Sequence, residues 1–399
     1  MAREGKSSVV PRLRFQEFRG APVWTEARLD DLITVIAPPA KLQSTSYLSS
    51  GRFPIVDQSQ QAISGWTDDA TAVVMEPLPL IVFGDHTCTL KLLQQPFAQG
   101  ADGIKILKAK AVVSTEYLFH SLSHRPLAME DYKRHFSMLK ERPVSYPDIK
   151  TGEQQKIADC LTSLDEMIAA QARKVEALKT YKRGLMQELF PRQGETIPRL
   201  RLPEFRNAPE WSEVAIGEMG EVITGNTPTT SQKEYYGGEH PFVSPADISD
   251  MRFVVRAKTN LSEAGFAQSR PIKARSVLFV CIGSTIGKVA QNAAECATNQ
   301  QINSIVANSK YSGDFIYYLL RMESERIASL AGIQAVPIIN KSVFSSVKVV
   351  APKLAEQNRI ADCLSSLDSR IAVESEKLDT LKIHKTALMQ QLFPAPEEV

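Results

Sequence analysis

The chain has 399 residues, of which 43% are hydrophobic and 23% charged, and its formal net charge is +2. This length predicts two or three domains with ordinary hydrophobic cores, and a charge this small does not by itself indicate nucleic acid. The sequence contains no run of about 18 apolar residues, so no membrane span is predicted, and the N-terminus does not resemble a secretory leader. The five cysteines are scattered, which predicts free thiols in the cytoplasm.

The first element along the chain is a short motif that recurs. PRLRFQEFRGAPVW at 11–24 returns as PRLRLPEFRNAPEW at 198–211, with 10 identities in 14 positions. A repeat of this kind predicts a tandem duplication, in which two halves share a scaffold. The regions after each motif, roughly 25–150 and 212–352, show no comparable identity, so they are the parts that vary.

Residues 25–150 predict a mixed α/β domain. The run LIVF at 80–83 is typical of a buried strand, ADGIKIL at 101–107 of a second strand, and Thr115–Ser123 of a helix. Two polar segments, KLQSTS and DQSQQ, carry groups that can hydrogen-bond base edges or phosphates. The candidate DNA-binding residues of this region are Lys41, Gln43, Ser44, Gln58, Ser59, Gln60 and Gln61.

A long amphipathic helix follows each variable region. Residues 153–191 and 356–394 align without a gap, with 22 identities in 39 positions, and both end at a Phe-Pro pair because proline cannot continue a helix. Thr151 and Gln154 predict a capping box at the first helix. The apolar residues alternate in spacing between three and four, as in a coiled coil. The seam residues are Ile157, Leu161, Leu164, Ile168, Val175, Leu178, Leu185, Ile360, Leu364, Leu367, Ile371, Leu378, Leu381 and Leu388.

The two helices are expected to pair with each other. Two seam positions are polar in both copies, namely Gln171 with Glu374 and Lys182 with Lys385, and such residues can fix register. Similar halves tend to pack about a pseudo-two-fold axis, which makes the helices antiparallel, each roughly 55 Å long with one variable domain at each end. The tail after residue 394 would then lie near residues 1–10. The alternative is two unrelated amphipathic helices, each covering its own domain.

Residues 212–352 show the same order of predicted elements. VLFVCI at 277–282 and QINSIVA at 301–307 predict strands, and Asp314–Leu330 predicts a helix. The polar segments TGNTPTT, QKEYYGG, GSTIGK and ATNQQIN have the composition of plain solvated loops, and only the repeat architecture favours DNA contact. The candidate DNA-binding residues of this region are Asn226, Thr227, Lys233, Tyr236, Ser284, Thr285, Lys288, Asn299, Gln300 and Gln301.

These segments resemble the specificity subunits of type I restriction-modification enzymes over nearly the whole chain. The resemblance lies in EQQKIADCLTSLDEMI and EQNRIADCLSSLDSRI, in KRGLMQELFP and KTALMQQLFP, and in pieces of both variable regions, FPIVDQSQQAISGWTDD, LPLIVFGDHTCTLK, TGNTPTTSQKEYYGG, FVSPADIS, GSTIGKVA and ATNQQI. One departure is the approach to the first helix, YPDIKTGEQ, where VVAPKLAEQ before the second is closer to the family pattern.

The resemblance implies an α+β fold with two globular target-recognition domains and two long antiparallel coiled-coil helices. The implied divisions are an N-terminal segment 1–20, target-recognition domains 21–150 and 192–352, and conserved helices 151–191 and 353–399, the last with a tail. Each domain would read one half of a bipartite, asymmetric double-stranded DNA target. The helices would act as spacer and bind two methyltransferase subunits, and restriction/translocase subunits would join. S-adenosylmethionine, ATP and magnesium would bind to those partners, and this chain would hold no cofactor or metal.

Motifs for catalysis in this chain are weak. Pro38-Pro39 lacks the Asn or Asp and the aromatic residue of a base-flipping methyltransferase loop, and GSTIGK has the wrong spacing and no Ser or Thr after its lysine for a phosphate loop. Asp148, Glu153 and Lys156 have some character of a nuclease site, but an acidic residue also suits the start of a helix. We therefore expect no catalytic residues.

Three histidines are weak candidates for zinc. His120 and His124 are four residues apart and His135 lies nearby, although solvated or loosely packed histidines are the commoner case. Two rival functions stay open on the sequence: a single-chain nuclease or methyltransferase with an unrecognised site, and a structural coiled-coil adaptor with no DNA role.

Overall fold

The computed structural model describes residues 10–101, 103–129, 135–332 and 337–394. The expected place of the tail after residue 394, beside residues 1–10, falls largely outside these ranges. The chain divides into two compact units, Met1–Ala172 with Glu376–Val399 and Arg173–Ser375. Within the described ranges, none of the helices combines the length and apolar character that crossing a bilayer requires.

The first unit contains a mixed α/β head. Its elements are β1 (Thr25–Arg28), α1 (Leu29–Leu32), β2 (Ile33–Ile36), β3 (Phe53–Val56), β4 (Gly65–Thr67), β5 (Val73–Val74), β6 (Leu80–Gly84), β7 (Leu90–Leu93), β8 (Phe97–Gln99), β9 (Ile104–Ala109), α2 (Thr115–His124), α3 (His135–Lys140) and β10 (Pro143–Tyr146). The described strands form one sheet of order β2-β9-β6-β7, a second of order β4-β3-β8-β5, and a ribbon of β1 with β10. Helix α2 packs on the first sheet.

The second unit contains a head of the same kind. Its elements are β11 (Ser212–Ala215), α5 (Ile216–Met219), β12 (Gly220–Thr224), β13 (Tyr236–Val243), β14 (Phe253–Val254), β15 (Thr259–Leu261), α6 (Glu263–Ala267), β16 (Val277–Val280), β17 (Val289–Asn292), β18 (Ala297–Thr298), β19 (Ile302–Ala307), α7 (Gly313–Ala328), α8 (Lys341–Ser346) and β20 (Lys348–Ala351). The sheets run β12-β19-β16-β17-β14 and β15-β13-β18, and β11 pairs with β20.

The two heads share one topology. The order β2-β9-β6-β7 matches β12-β19-β16-β17, and the second unit adds β14 at the edge. In the other sheet, β3 pairs parallel with β8 and antiparallel with β4, as β13 pairs with β18 and β15. The expectation that the halves carry different loops on one fold is confirmed.

The long helices are α4 (Glu153–Leu189) and α9 (Leu354–Leu392), with 37 and 39 residues. At about 1.5 Å per residue each is roughly 55–60 Å long. When the two repeats are aligned, α9 begins before the position at which α4 begins. The chain before α4 instead forms a 3-10 turn, followed by Gly152 with a left-handed conformation at φ +80°. The different approach segments in the sequence therefore give different helix starts.

Ion pairs show that the helices run antiparallel. In the second unit, Lys174 pairs with Glu374 at 2.8 Å and Lys182 pairs with Asp368, so partners on α9 come earlier as α4 advances. In the first unit, Lys385 pairs with Asp165. Both lysines predicted in the seam thus reach an aspartate of the other helix, and the two aspartates occupy equivalent positions of the repeat.

The seam residues pack against the heads as well as between the two helices. All fourteen are buried or half-buried. In the first unit, Ile157, Leu161 and Leu164 join a buried cluster with Trp24 and Tyr117 of the head, which also includes the end of α9. The alternative of two unrelated helices, each covering only its own domain, is therefore wrong, because the start of α4 and the end of α9 pack together on the first head.

Two repeated side-chain contacts attach each head to its helix. The first joins the short motif to the helix: Arg14 binds Glu153 through two hydrogen bonds of 2.7 Å, and Arg201 binds Glu356 at 2.8 and 2.7 Å. Each arginine also donates to two backbone carbonyls just before the head. The recurrence of the motif is thus explained by a structural role.

The second contact corrects a prediction. Gln154 does not form a capping box with Thr151; its buried amide accepts from Ser114 N at 2.7 Å and donates to the carbonyls of Val112 and Pro147. A buried amide must find partners, and the head's backbone supplies three. The Gln357 amide makes the matching contacts, to Ser312 N and to the carbonyls of Lys310 and Pro352.

Candidate nucleic-acid interface

In the first head, the segment 57–61 packs beside the connection between β6 and β7. The Thr87 hydroxyl donates to Gln58 O at 2.7 Å, and Gln60 Nε2 donates to Thr89 Oγ1 at 3.1 Å. Lys91 Nζ donates to the carbonyl oxygens of Asp57 and Gln61 at 2.8 and 2.5 Å. The two loops thus form one polar surface.

The other candidate segment of this head, 41–46, meets the same surface. Leu42 N donates to Gln99 O at 3.0 Å, and Lys41 forms a β-bridge with Gln99. Tyr47 Oη accepts from Ala101 N at 3.0 Å. Because β3 and β8 are parallel, their carboxyl ends lie at one edge of the sheet, and both candidate segments gather there. Lys41, Gln43, Ser44, Gln60 and Gln61 are exposed, and Gln58 and Ser59 are half-buried.

Gln58 lies against a residue that has to be glycine. Gly103 has φ +102°, and a Cβ at that position would lie 2.7 Å from Gln58 Oε1. That oxygen is buried and has no hydrogen-bond partner in the described residues. Partial burial would raise the pKa of the neighbouring Asp57, but hydrogen bonds from Ser64 and Ser59 hold it below its ordinary value. The surface therefore combines a carboxylate, amides, hydroxyls and an ammonium group.

The second head gathers Thr227 and residues 299–301 at the equivalent edge, where the parallel strands β13 and β18 end. Thr227 Oγ1 donates to Gln300 Oε1 at 2.6 Å, and Asn299 Nδ2 donates to Gln301 Oε1 at 2.9 Å. Tyr236 Oη donates to Pro228 O at 2.6 Å. Segments distant in sequence therefore form one surface, on which Thr227 and Gln300 are exposed and Asn299 and Gln301 half-buried.

Close backbone packing fixes this edge. A Cβ on Gly225 would lie 2.2 Å from Thr298 O, so only glycine allows the approach. Asn226 Nδ2 donates to Gln268 O at 2.9 Å, while its Oδ1 is buried with no partner in the described residues. Arg270 is exposed and donates to Thr224 O at 2.7 Å. This arginine brings a positive charge to the surface and was missed from the sequence.

The turn between β16 and β17 holds three further candidates. Gly283 and Gly287 both have positive φ, which shapes the turn. Ser284 is exposed and Thr285 half-buried. The Lys288 ammonium donates to Ile248 O at 3.0 Å, so it also holds a neighbouring loop. Lys233, the remaining candidate of this head, is exposed in a short 3-10 turn.

The shared topology identifies residues that the sequence analysis missed. The turn between β6 and β7 in the first head corresponds to the turn between β16 and β17 in the second. It carries His86, which is exposed, and Thr87, and it leads to Lys91. The sequence contained an indication of this turn, because Gly84 and Gly283 each follow a buried strand at the same place in the order of elements that the two heads share.

The residues considered for metal or nuclease chemistry do not converge. Groups of three or more His, Cys, Asp or Glu able to hold a metal are absent from the described ranges. His135 Nδ1 contacts Asp85 O at 2.7 Å, and His124 stacks on Phe393. His120 is not loosely packed as expected: it is 1% exposed and contacts Thr162 Oγ1 at 3.0 Å, and burial lowers its pKa to about 4.

The three residues with a nuclease-like pattern each have a separate role. The Asp148 carboxylate accepts from Lys150 N at 3.0 Å and caps the 3-10 turn before α4. Glu153 binds Arg14, and Lys156 lies 3.3 Å from Glu17. These contacts account for all three side chains without a catalytic centre.

Comparison with known proteins agrees with this arrangement. Residues 209–382 match the family described as "Type I restriction modification DNA specificity domain". The chain is 24% identical over 362 residues to the EcoR124I/EcoR124II specificity subunit of Escherichia coli, an alignment that covers 84% of this chain and 85% of that one. Residues 209–382, less than half of the chain, thus match the type I restriction-modification specificity family. The resemblance seen in the sequence is confirmed.

Two further specificity subunits are similar to the chain in part or in fold. The HindI specificity subunit of Haemophilus influenzae is 34% identical over 147 residues, which cover 36% of this chain and 32% of that protein. The alignment thus spans about a third of that relative's length. The crystal structure of a type I S subunit from M. genitalium matches with a TM-score of 0.67 at 16% identity, over 96% of this chain and 99% of that one. That likeness confirms the expected fold.

Proposed function

We propose that this chain is the DNA sequence-recognition subunit of a type I restriction-modification complex. The observation that carries the proposal is the gathering of amide, hydroxyl and cationic side chains at the carboxyl ends of a parallel strand pair, once in each head. Asn and Gln can make two hydrogen bonds to adenine, and Lys and Arg can bind guanine or phosphate. The specificity-domain match over 209–382 supports the same function.

Each head reads one half of a bipartite, asymmetric double-stranded target. The heads share a topology but present different side chains at the same edge: Gln58, Ser59 and Gln60 in one, Asn299 and Gln300 in the other. Different donors and acceptors on one scaffold favour different bases. Contacts such as those of Thr87 and Tyr236 to backbone carbonyls hold the loops in place.

The chain itself is not catalytic in this proposal. Two methyltransferase subunits dock on the paired helices, restriction/translocase subunits join them, and these partners bind S-adenosylmethionine, ATP and magnesium. The outward faces of the helices offer apolar contacts. Met167 and Ile383 are 48% and 70% exposed in the first unit, and Tyr181 and Val373 are 60% and 50% exposed in the second. Exposed apolar residues on otherwise charged helices favour a protein partner.

Selection from a pool of random duplexes by the full chain with its methyltransferase tests the proposal. We expect two short fixed blocks separated by a constant gap. Gln60→Ala should relax one block only, and Gln300→Ala only the other. Arg173→Ala, on an exposed helix position, is the control and should leave both blocks unchanged.

Three results would count against this assignment. Enrichment of no sequence would favour the structural adaptor, and loss of both blocks on one loop substitution would contradict separate reading by the two heads. A preparation free of partners that methylates or cuts DNA with S-adenosylmethionine and magnesium would instead show a single-chain enzyme.

A further inference from the structure

A basic pocket lies at the base of the first head, beside the ribbon of β1 and β10. Its cavity volume is about 40 Å³, and its polar lining includes Arg125, Arg142, His124 and Ser145. His124 stacks on the ring of Phe393, with ring centroids 5.5 Å apart, and this gives the pocket an apolar wall.

The two arginines are held near each other by contacts to backbone carbonyls. The Arg142 guanidinium donates to Arg125 O, and the Arg125 guanidinium donates to Pro394 O. Neither guanidinium forms an ion pair within 4.0 Å in the described ranges, although the charge of Glu26 raises the pKa of Arg125 and so partly opposes its lowering by burial. Each guanidinium has five N–H donors, so most of its donors are not used by these carbonyl contacts.

The only carboxylate that lines the pocket in the described residues is Glu26, which accepts from the Ser145 hydroxyl at 3.2 Å. Burial lowers the pKa of Arg142, and the charge of Arg125 lowers it further. Two half-buried guanidinium groups near one carboxylate leave a net positive site, and a positive, partly desolvated site attracts anions.

The second unit provides an internal comparison. When the two heads are aligned by the N-caps Ser114 and Ser312, Glu323 is equivalent to Arg125. When they are aligned by the equivalent strand pairs, Val347 is equivalent to Arg142. There Glu323 pairs with Arg326, so the charge is neutralised. The attachment of a head to its helices therefore does not require the arginine pair.

We propose that the pocket of Arg125 and Arg142 binds a phosphate oxyanion, supplied by the backbone of DNA or by a free phosphate group. The planar guanidinium matches the geometry of phosphate oxygens and can donate two hydrogen bonds to it. A ring N–H of His124 adds a further donor.

A short helix relates the pocket to the candidate DNA surface of the same head. Helix α3 begins where Phe136 N and His135 Nδ1 contact Asp85, in the turn after β6. It ends at Lys140, two residues before Arg142. At about 1.5 Å per residue α3 spans roughly 9 Å, so the pocket lies on the flank of that surface. The DNA source rests on the proposed function, whereas the free phosphate does not.

Titration of the full chain with inorganic phosphate tests the site directly, with the His124 imidazole followed by NMR. Burial and the charges of Arg125 and Arg142 lower the pKa of His124, so a bound anion should raise that pKa toward its ordinary value. Arg142→Gln should weaken phosphate binding by about tenfold or more, since it removes a charge-assisted contact. Arg28→Gln, an exposed arginine of the same ribbon, is the control and should bind as the parent does.

A second measurement identifies the source of the phosphate. DNA binding of the full chain is followed against salt concentration in the parent and in Arg142→Gln. A DNA phosphate in the pocket should reduce the salt slope by about one in the variant, and an unchanged slope with intact phosphate binding assigns a free phosphate group. No His124 response to phosphate together with an unchanged slope overturns the proposal. Arg142→Lys, which keeps the charge, guards against misfolding and should retain part of either effect.

Discussion

Removal of Arg201 should destabilise the second unit strongly, because it strands a buried carboxylate. Glu356 is 3% exposed, and its two oxygens receive hydrogen bonds from Arg201 at 2.8 and 2.7 Å. In Arg201→Ala the remaining side-chain donor is Trp211 Nε1, at 3.3 Å. Breaking a buried pair on one side costs about 3–5 kcal/mol. For a unit of this size that corresponds to a Tm lower by roughly 6–20 °C.

The assay is calorimetry of the full chain, with hydrogen exchange to identify which unit loses protection. The matched comparison is the double variant Arg201→Met with Glu356→Leu. Removal of both partners leaves no stranded charge, so the double variant should be more stable than Arg201→Ala. Arg14→Ala should produce the same loss in the first unit, where Glu153 is equally buried. A loss below 1 kcal/mol in Arg201→Ala, or equal losses in the single and double variants, would refute the reasoning.

Three further predictions concern an ion pair between the long helices, a buried histidine and a loop of the second head. Asp165→Lys should lower the free energy of unfolding by about 1 kcal/mol, because it breaks the ion pair with Lys385. Adding Lys385→Asp should restore most of that free energy in urea titrations. Additive losses in the double variant would contradict the pairing. Burial lowers the pKa of His120 to about 4, so on acidification the unfolded chain takes up the proton before the folded chain does. The free energy of unfolding should therefore be highest above pH 6.5 and should fall by up to ~3 kcal/mol as the pH drops toward 4. His120→Tyr, which copies Tyr318 of the other unit, should flatten this acid dependence, and an unchanged pH profile would contradict the role of His120. Gln301→Ala should change base preference in one half of the selected target and leave the other half intact, as selection from a duplex pool would show.

The regular elements were predictable because their signals are local. Strands β6 and β16 begin at the predicted apolar runs, although β16 ends at Val280 and not at 282, and the helices α2 and α7 lie where periodicity places them. The ends of α4 and α9 also match, since each precedes a Phe-Pro pair. The start of α4 was predicted less well, because Gln154 contacts the backbone of the head and no local pattern shows such a distant partner.

The site was predicted only in part, since it is built by a non-local pairing. The polar loops after β3, β12 and β18 were selected by composition, whereas the turn with His86 and Thr87 was not. That turn joins the surface because β6 lies beside β9 in the sheet, and this neighbourhood is not visible in the sequence of either strand. The basic pocket was missed for the same reason: Arg125 and Arg142 come from different elements and meet only in the fold.

The way in which each head is attached explains how the heads can vary so widely. The buried amides of Gln154 and Gln357 bind backbone groups of the head, and the arginines of the repeated motif bind backbone carbonyls at its entrance. Every residue supplies a backbone carbonyl, so these contacts do not depend on the side chains of the head. A change in the loops at the carboxyl ends of the parallel strands therefore leaves the attachment intact. The duplicated residues hold the head in place, and the divergent residues are free to change which bases it reads.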